Sequence, residues 1–216
     1  MFITGVVQNV PKQTSTPGSS PQGVYLGRMN ELVVSELHGK YFTQARDGNV
    51  FHGTTAPAGA AIPINTTTAP TCLLWNPSGS GVVCVPIAWR AGLASGTGVA
   101  AGIGYNVLTG AGPLSINTII TAFTAITPTS SLIGGGLKSQ CAFASTATIV
   151  TTNASFLRPT GVSQGAPITT TAAIFSMVDL FDGETVLLPG TAIYPVGNAA
   201  TGDLYMQAFT WVEVPL

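Results

Sequence analysis

Leu204-Tyr205-Met206-Gln207-Ala208-Phe209-Thr210-Trp211-Val212-Glu213-Val214 is the stretch whose reading decides the fold. It is rich in aromatic and β-branched residues and contains no Gly or Pro, the character of a half-buried strand. Two sets of side chains compete for its inner face. Tyr205, Ala208, Thr210, Val212 and Val214 stand against Leu204, Met206, Phe209, Trp211 and Glu213, with a bulge expected near Gln207.

Upstream, the same character fills the chain back to Gly53. Short runs of Val, Ile, Thr and aromatic residues are separated by clusters of Gly, Pro, Asn and Ser. Strands are expected near Ala60–Asn65, Thr71–Trp75, Val82–Trp89, Ala100–Leu108, Ser115–Ile126, Cys141–Thr151, Ala172–Leu180, Glu184–Leu188, Thr191–Tyr194 and Leu204–Val214. Turns are marked at Asn76–Gly81, Gly134–Gly136, Asp182-Gly183, Pro189-Gly190 and Gly197-Asn198. About eight to ten strands at this spacing, with no βαβ alternation, predict an all-β, jelly-roll-like β-sandwich over residues 53–216.

The part before Gly53 reads differently. Pro11, Pro17, Pro21 and the run Ser15–Ser20 make residues 1–23 a flexible N-terminal arm. Residues 24–52 form a helical or extended anchoring segment. Leu26, Met29, Val33, Leu37 and Tyr41 recur at helical spacing, and Glu36 and Lys40 form an i,i+4 pair on the polar side. Gly39 is where this helix can end, with the chain extended through Lys40-Tyr41-Phe42.

Composition narrows the function. Among 216 residues only 15 are charged, 7 Lys+Arg and 8 Asp+Glu, or 7%, against roughly 25% in ordinary soluble domains. Mean hydropathy is +0.43, yet no run approaches the ~18–20 apolar residues of a membrane-spanning helix. Disorder is excluded by the apolar content of 45%. A net charge of −1 provides no field for phosphate backbones, so direct nucleic-acid binding is not expected. The first residues lack the pattern of a secretory signal, which implies a start in the cytoplasm of whatever cell makes the chain.

Tests for chemistry find little. The histidines, His38 and His52, each adjoin a glycine and lack a triad context or a G-x-S-x-G elbow. The acidic run Asp179-Leu180-Phe181-Asp182-Gly183-Glu184 reads as a strand end, a turn and a new strand, with a calcium loop or a hydrolase using Asp179, Asp182 or Glu184 as lesser readings. Gly96–Gly102 lacks the frame of a dinucleotide loop and reads as a flexible connection. Cys72, Cys84 and Cys141 are odd in number and without CxxC spacing, so they read as buried small hydrophobes, with a Cys72–Cys84 bridge as the lesser reading. Trp75, Trp89 and Trp211 lie in strand-like runs and read as core. No catalytic, cofactor-binding or metal-binding residue is therefore assigned.

The distribution of charge is more informative than its total. From Gly53 through Leu157, a span of 105 residues, only Arg90 and Lys138 are charged. A Thr/Ala/Gly/Ser surface of this kind suits burial against copies of itself, because desolvating an unpaired charge is costly. An extended arm fits the same purpose by adding a strand to a neighbour's sheet edge.

Two stretches carry a resemblance. Glu36-Leu37-His38-Gly39-Lys40-Tyr41-Phe42 followed by Gly48-Asn49-Val50-Phe51 is similar to the opening segment of bacteriophage virion proteins. Asp182-Gly183-Glu184, Leu188-Pro189-Gly190-Thr191-Ala192-Ile193 and Phe209-Thr210-Trp211-Val212-Glu213-Val214-Pro215 resemble the closing strands of viral single jelly rolls. The resemblance implies a non-enzymatic virion subunit that forms, decorates or cements a capsid, with copies of itself and other virion proteins as partners and the virion as its location. Coats that package RNA carry a basic arm, whereas residues 1–23 hold only Lys12, which sets genome contact aside. The alternative is a lectin-like or TNF-like binding module for glycans or a cell-surface receptor.

Overall fold

The computed structural model describes residues 39–96, 101–135, 137–163, 176–199 and 203–216. The predicted arm, most of the predicted helix including His38, and the middle of the Gly96–Gly102 connection lie outside the described residues. The chain divides into two compact units, Met1–Phe42 and Thr43–Leu216. After Gly39 the chain is not extended. It turns at Lys40 and Tyr41 and enters helix α1 (Phe42–Arg46). Gly48, at φ 78°, ends α1 in the left-handed conformation that glycine adopts without penalty.

Strands follow in the order β1 (Val50–Thr54), β2 (Ala60–Ala61), β3 (Leu73–Asn76), β4 (Val82–Ser95), β5 (Gly102–Thr109) and β6 (Ile120–Ile126). Then come β7 (Thr129–Ser130), β8 (Ala142–Ile149), β9 (Ala154–Ser163), β10 (Ser176–Leu180), β11 (Thr191–Gly197) and β12 (Leu204–Pro215). The first sheet has the order β10-β4-β12-β1-β7 with β2 also on β12, and the second β6-β8-β3-β11-β5-β9. Eight strands cross between the sheets at every step but β5 to β9, giving β1-β12-β4-β10 facing β3-β11-β5-β9, an antiparallel jelly-roll-like connectivity. β6, β7 and β8 are inserted between β5 and β9, and they extend both sheets beyond β1 and β3.

β12 corrects the expected inner face. Tyr205, Gln207, Phe209, Trp211 and Glu213 are all buried at alternate positions, and Thr210 and Val212 between them are buried less completely on the other face. No bulge lies at Gln207. The register breaks fall at Leu204/Tyr205 and Thr210/Trp211, where β4 carries the extra residues Ala94 and Ile87. β12 runs unbroken against β1. The Ile87 bulge also explains β4, whose inward residues are Val82 and Cys84 before it and Trp89 and Ala91 after it. Gln207 can face inward because its amide reaches Thr71 Oγ1 at 3.4 Å and the Ala60 carbonyl at 3.5 Å.

Other differences have local causes. Glu184–Leu188 is not a strand; a single bridge joins Leu187 to Cys84. β6 starts only at Ile120, because Asn117 Oδ1 accepts the backbone N–H groups of Ile119 and Ile120 at 2.9 and 2.8 Å and holds a turn there. β9 escapes sequence reading because it contains Pro159, which a sheet edge tolerates. β1 begins ahead of Gly53 and carries that glycine inside it, where the Phe143 ring packs on the bare backbone.

The main core lies between the sheets. Trp89 of the first sheet meets Tyr105 of the second edge-to-face at 5.8 Å, and Trp211 stacks on Phe143 at 6.4 Å. β3 and β11 are central and buried on both faces. Leu74 and Ile193 point into the main core, while Leu73, Trp75, Ala192 and Tyr194 build a second cluster, with Phe123 edge-on to Trp75 at 5.5 Å. All three tryptophans are core residues, as their runs predict.

Candidate functional site

Among the described residues the fold turns two of the scarce charges fully inward. Glu213 is 6% exposed and Asp203 2% exposed. The Glu213 carboxylate accepts hydrogen bonds from Trp211 Nε1 at 3.0 Å, from the backbone N–H groups of Gln140 and Cys141 at 2.9 and 3.2 Å, and from the Ser139 hydroxyl. It thereby ties β12 to the segment that leads into β8. A carboxylate with this many donors is satisfied where it stands.

A second cluster closes the opposite edge of the sandwich. Arg158 of β9 meets Asp179 of β10 at 3.1 Å, bridging the edge strands of the two sheets, and Glu184 follows at 3.8 Å. The guanidinium lies over the Phe181 ring at 4.9 Å and the Tyr105 ring at 5.6 Å. Burial, followed by the Asp179 carboxylate, pushes the Tyr105 phenol far above its usual range, so it stays protonated. The carboxylates of Asp179 and Glu184 thus engage one arginine across the sheet edge.

The outer face of the first sheet carries a polar chain that sequence reading missed. His52 Nδ1 lies 3.0 Å from Thr210 Oγ1, which accepts from Arg90 Nη1 at 3.1 Å. His52 Nε2 lies 2.7 Å from the hydroxyl of Ser131, 79 positions away, which is why no local motif betrayed the pair. A catalytic Ser–His pair needs a carboxylate behind Nδ1 to stabilise the imidazolium, and a neutral hydroxyl stands there instead. Burial first, and then the Arg90 charge, lower the His52 pKa, so the imidazole is neutral at pH 7.

That shift predicts a pH response. An unfolded histidine titrates near 6.5, and His52 in the fold titrates below this. Between the two values the unfolded chain binds more protons, so this contribution to stability is complete above about pH 6.5 and declines as pH falls to the folded value. Thermal midpoints measured from pH 7.5 down to 5 are expected to drop less for His52→Gln than for the parent chain. Equal slopes would refute the assignment.

The cysteines are free and buried. The neighbouring thiol of Cys84, then burial, then Glu213 raise the Cys141 pKa, and burial raises that of Cys72. Such thiols carry no thiolate at neutral pH and are poor nucleophiles. Among the described residues no cluster of three or more His, Cys, Asp or Glu could hold a metal ion. No helix there is long and apolar enough to cross a membrane.

Part of the surface is apolar. Val178 and Leu180 project outward from β10 at the edge of the first sheet. The paired backbone bonds between Cys84 and Leu187, at 3.0 and 2.8 Å, lay the next segment beside β4. Leu187 turns inward there, while Val186 and Leu188 are exposed. Val214 is exposed on β12, opposite Val83. Val178, Leu180, Val186, Leu188 and Val214 therefore form a row of exposed aliphatic groups across one sheet, the kind of patch that marks an interaction surface.

Fold and surface together define a jelly-roll-like β-sandwich with two buried carboxylates and aliphatic sheet edges. Compared with protein-family models, with curated proteins and with solved structures, the chain matches none.

Proposed function

We propose that this chain is a non-enzymatic structural subunit of a virus particle, of the bacteriophage kind, which self-assembles into a capsid or decorates one. The observation that carries this reading is the fate of its charges. Glu213 and Asp203 are buried, Asp179 is paired with Arg158, and the edge strand β10 exposes Val178 and Leu180 with no lysine or proline to guard it. A surface built this way is stable when copies cover one another and is a liability in a solitary protein. The neutral hydroxyl behind His52 and the protonated thiols support the absence of catalysis in this reading. The burial of Trp75, Trp89 and Trp211 leaves those rings unable to stack on sugars, which favours assembly over glycan recognition.

The test is the state of the pure chain. Sedimentation velocity and electron microscopy are expected to show ordered assemblies, and a stable monomer at concentrations of milligrams per millilitre would refute the reading. Val178→Lys combined with Leu180→Lys is expected to shift the population toward smaller species. Because both side chains are exposed, folding stability should change by less than about 1 kcal/mol.

A further inference from the structure

The inserted strands create a groove that the assembly reading does not by itself explain. β6, Ile120-Thr121-Ala122-Phe123-Thr124-Ala125-Ile126, is an edge strand that pairs with β8 on one side and, among the described residues, with no strand on the other. It has no charge, no Pro and no Gly, and Thr121, Ala122, Thr124 and Ala125 are exposed. Edge strands left so bare are templates for an added strand. Beside it runs a groove of about 540 Å³ lined by Phe123, Ala125, Ile126, Pro128 and Phe143. Its rim carries Leu114 and Leu137, 57% and 46% exposed, and Lys138.

We propose that this groove receives the N-terminal segment Phe2–Val10 of a neighbouring copy, added as a strand along β6. Two observations select that occupant. The first is chain length and where it leaves the body. Thirty-eight residues precede Gly39, the first of the described residues, and a stretch of that size can span on the order of 100 Å. Within Thr43–Leu216, Gly48 near the start of that unit lies on the groove's own side, because Leu137 of the rim packs directly on it.

The second observation is charge. An apolar groove rejects an unpaired charge, and Met1-Phe2-Ile3-Thr4-Gly5-Val6-Val7-Gln8-Asn9-Val10-Pro11 has none before Lys12. Its Phe2, Ile3, Val6, Val7 and Val10 supply aliphatic and aromatic groups for the groove, and Pro11 closes the strand where pairing would end. Supply by a neighbour rests on the assembly reading above; the fit between groove and segment does not.

The experiment uses a fluorescent synthetic peptide of residues 1–11 and the full chain carrying Val6→Pro, which disables its own segment as a strand. Fluorescence anisotropy is expected to show saturable binding of the peptide to this variant, weakened about tenfold or more when Ala125→Lys places a charge in the groove. No binding, or binding indifferent to Ala125→Lys, overturns the inference and leaves the assembly reading standing. Thermal midpoints of both variants confirm that the fold persists. Sedimentation of the same variants tests the source: loss of assemblies with Val6→Pro supports supply by a neighbour. A parent chain that is monomeric while the peptide binds overturns that supply together with the assembly reading.

Discussion

Glu213→Ala is expected to lower the stability of the fold by about 3–5 kcal/mol, the scale for leaving several buried donors without their acceptor. The carboxylate serves Trp211 Nε1, two backbone N–H groups and the Ser139 hydroxyl from a position 6% exposed. Water cannot fill in for it without opening the junction between β12 and the start of β8. The thermal midpoint should fall by about 10 °C or more. Glu213→Gln, which keeps one oxygen but turns an NH₂ toward the donors, should cost about 1–2 kcal/mol. A midpoint within a degree or two of the parent for Glu213→Ala would mean that the junction is held by something else.

The second large effect concerns the edge of the sandwich. Arg158→Met and Asp179→Leu are each expected to cost about 3 kcal/mol, because either one leaves a largely buried charge without its partner. The double variant should recover most of that loss and lie within about 1 kcal/mol of the parent. The Phe181 and Tyr105 rings beside the guanidinium can pack equally well on aliphatic groups. Glu184→Gln should change stability by less than about 0.5 kcal/mol, since this side chain is mostly solvated and sits at 3.8 Å. Denaturant titrations of the four chains form a double-mutant cycle; additive losses would refute a coupled pair.

These two clusters show what was and was not legible. Glu213 sits in the strand that decides the fold, and its sequence neighbours Trp211 and Val212 identify that strand plainly. Its burial could not be read, because its donors at 139–141 are more than seventy positions away. Arg158, Asp179 and Glu184 have the same history. In sequence Asp179 and Glu184 read as a strand end and the start of a new strand, and Arg158 stands alone; only the placing of β9 and β10 at facing edges of the two sheets brings them together. Ser131 and His52 meet for the same reason, through the pairing of β7 beside β1.

The strands themselves divide along similar lines. Runs such as Val82–Trp89 and Leu204–Val214 declare themselves because β-branched and aromatic residues fit a pleated surface in any context. β1 and β9 do not, because Gly53 and Pro159 are tolerated only through what surrounds them: a ring packed on bare backbone in one case, a free sheet edge in the other. The inner face of β12 lay between these cases. Alternation was visible, but its phase was not: the inward side chains of β12 run unbroken through Gln207, and the extra residues lie on β4.

The sequence by itself determined that this is an all-β sandwich with a charge-poor body, since strand propensity, turn residues and composition are local quantities. Tertiary structure decided how poor that body's surface becomes. It buried Glu213 and Asp203, paired Asp179 with Arg158, and left aliphatic groups on the edges of β10 and beside β6. The physical reason is that desolvation and pairing of a charge depend on where distant segments meet, and no window along the chain contains that information.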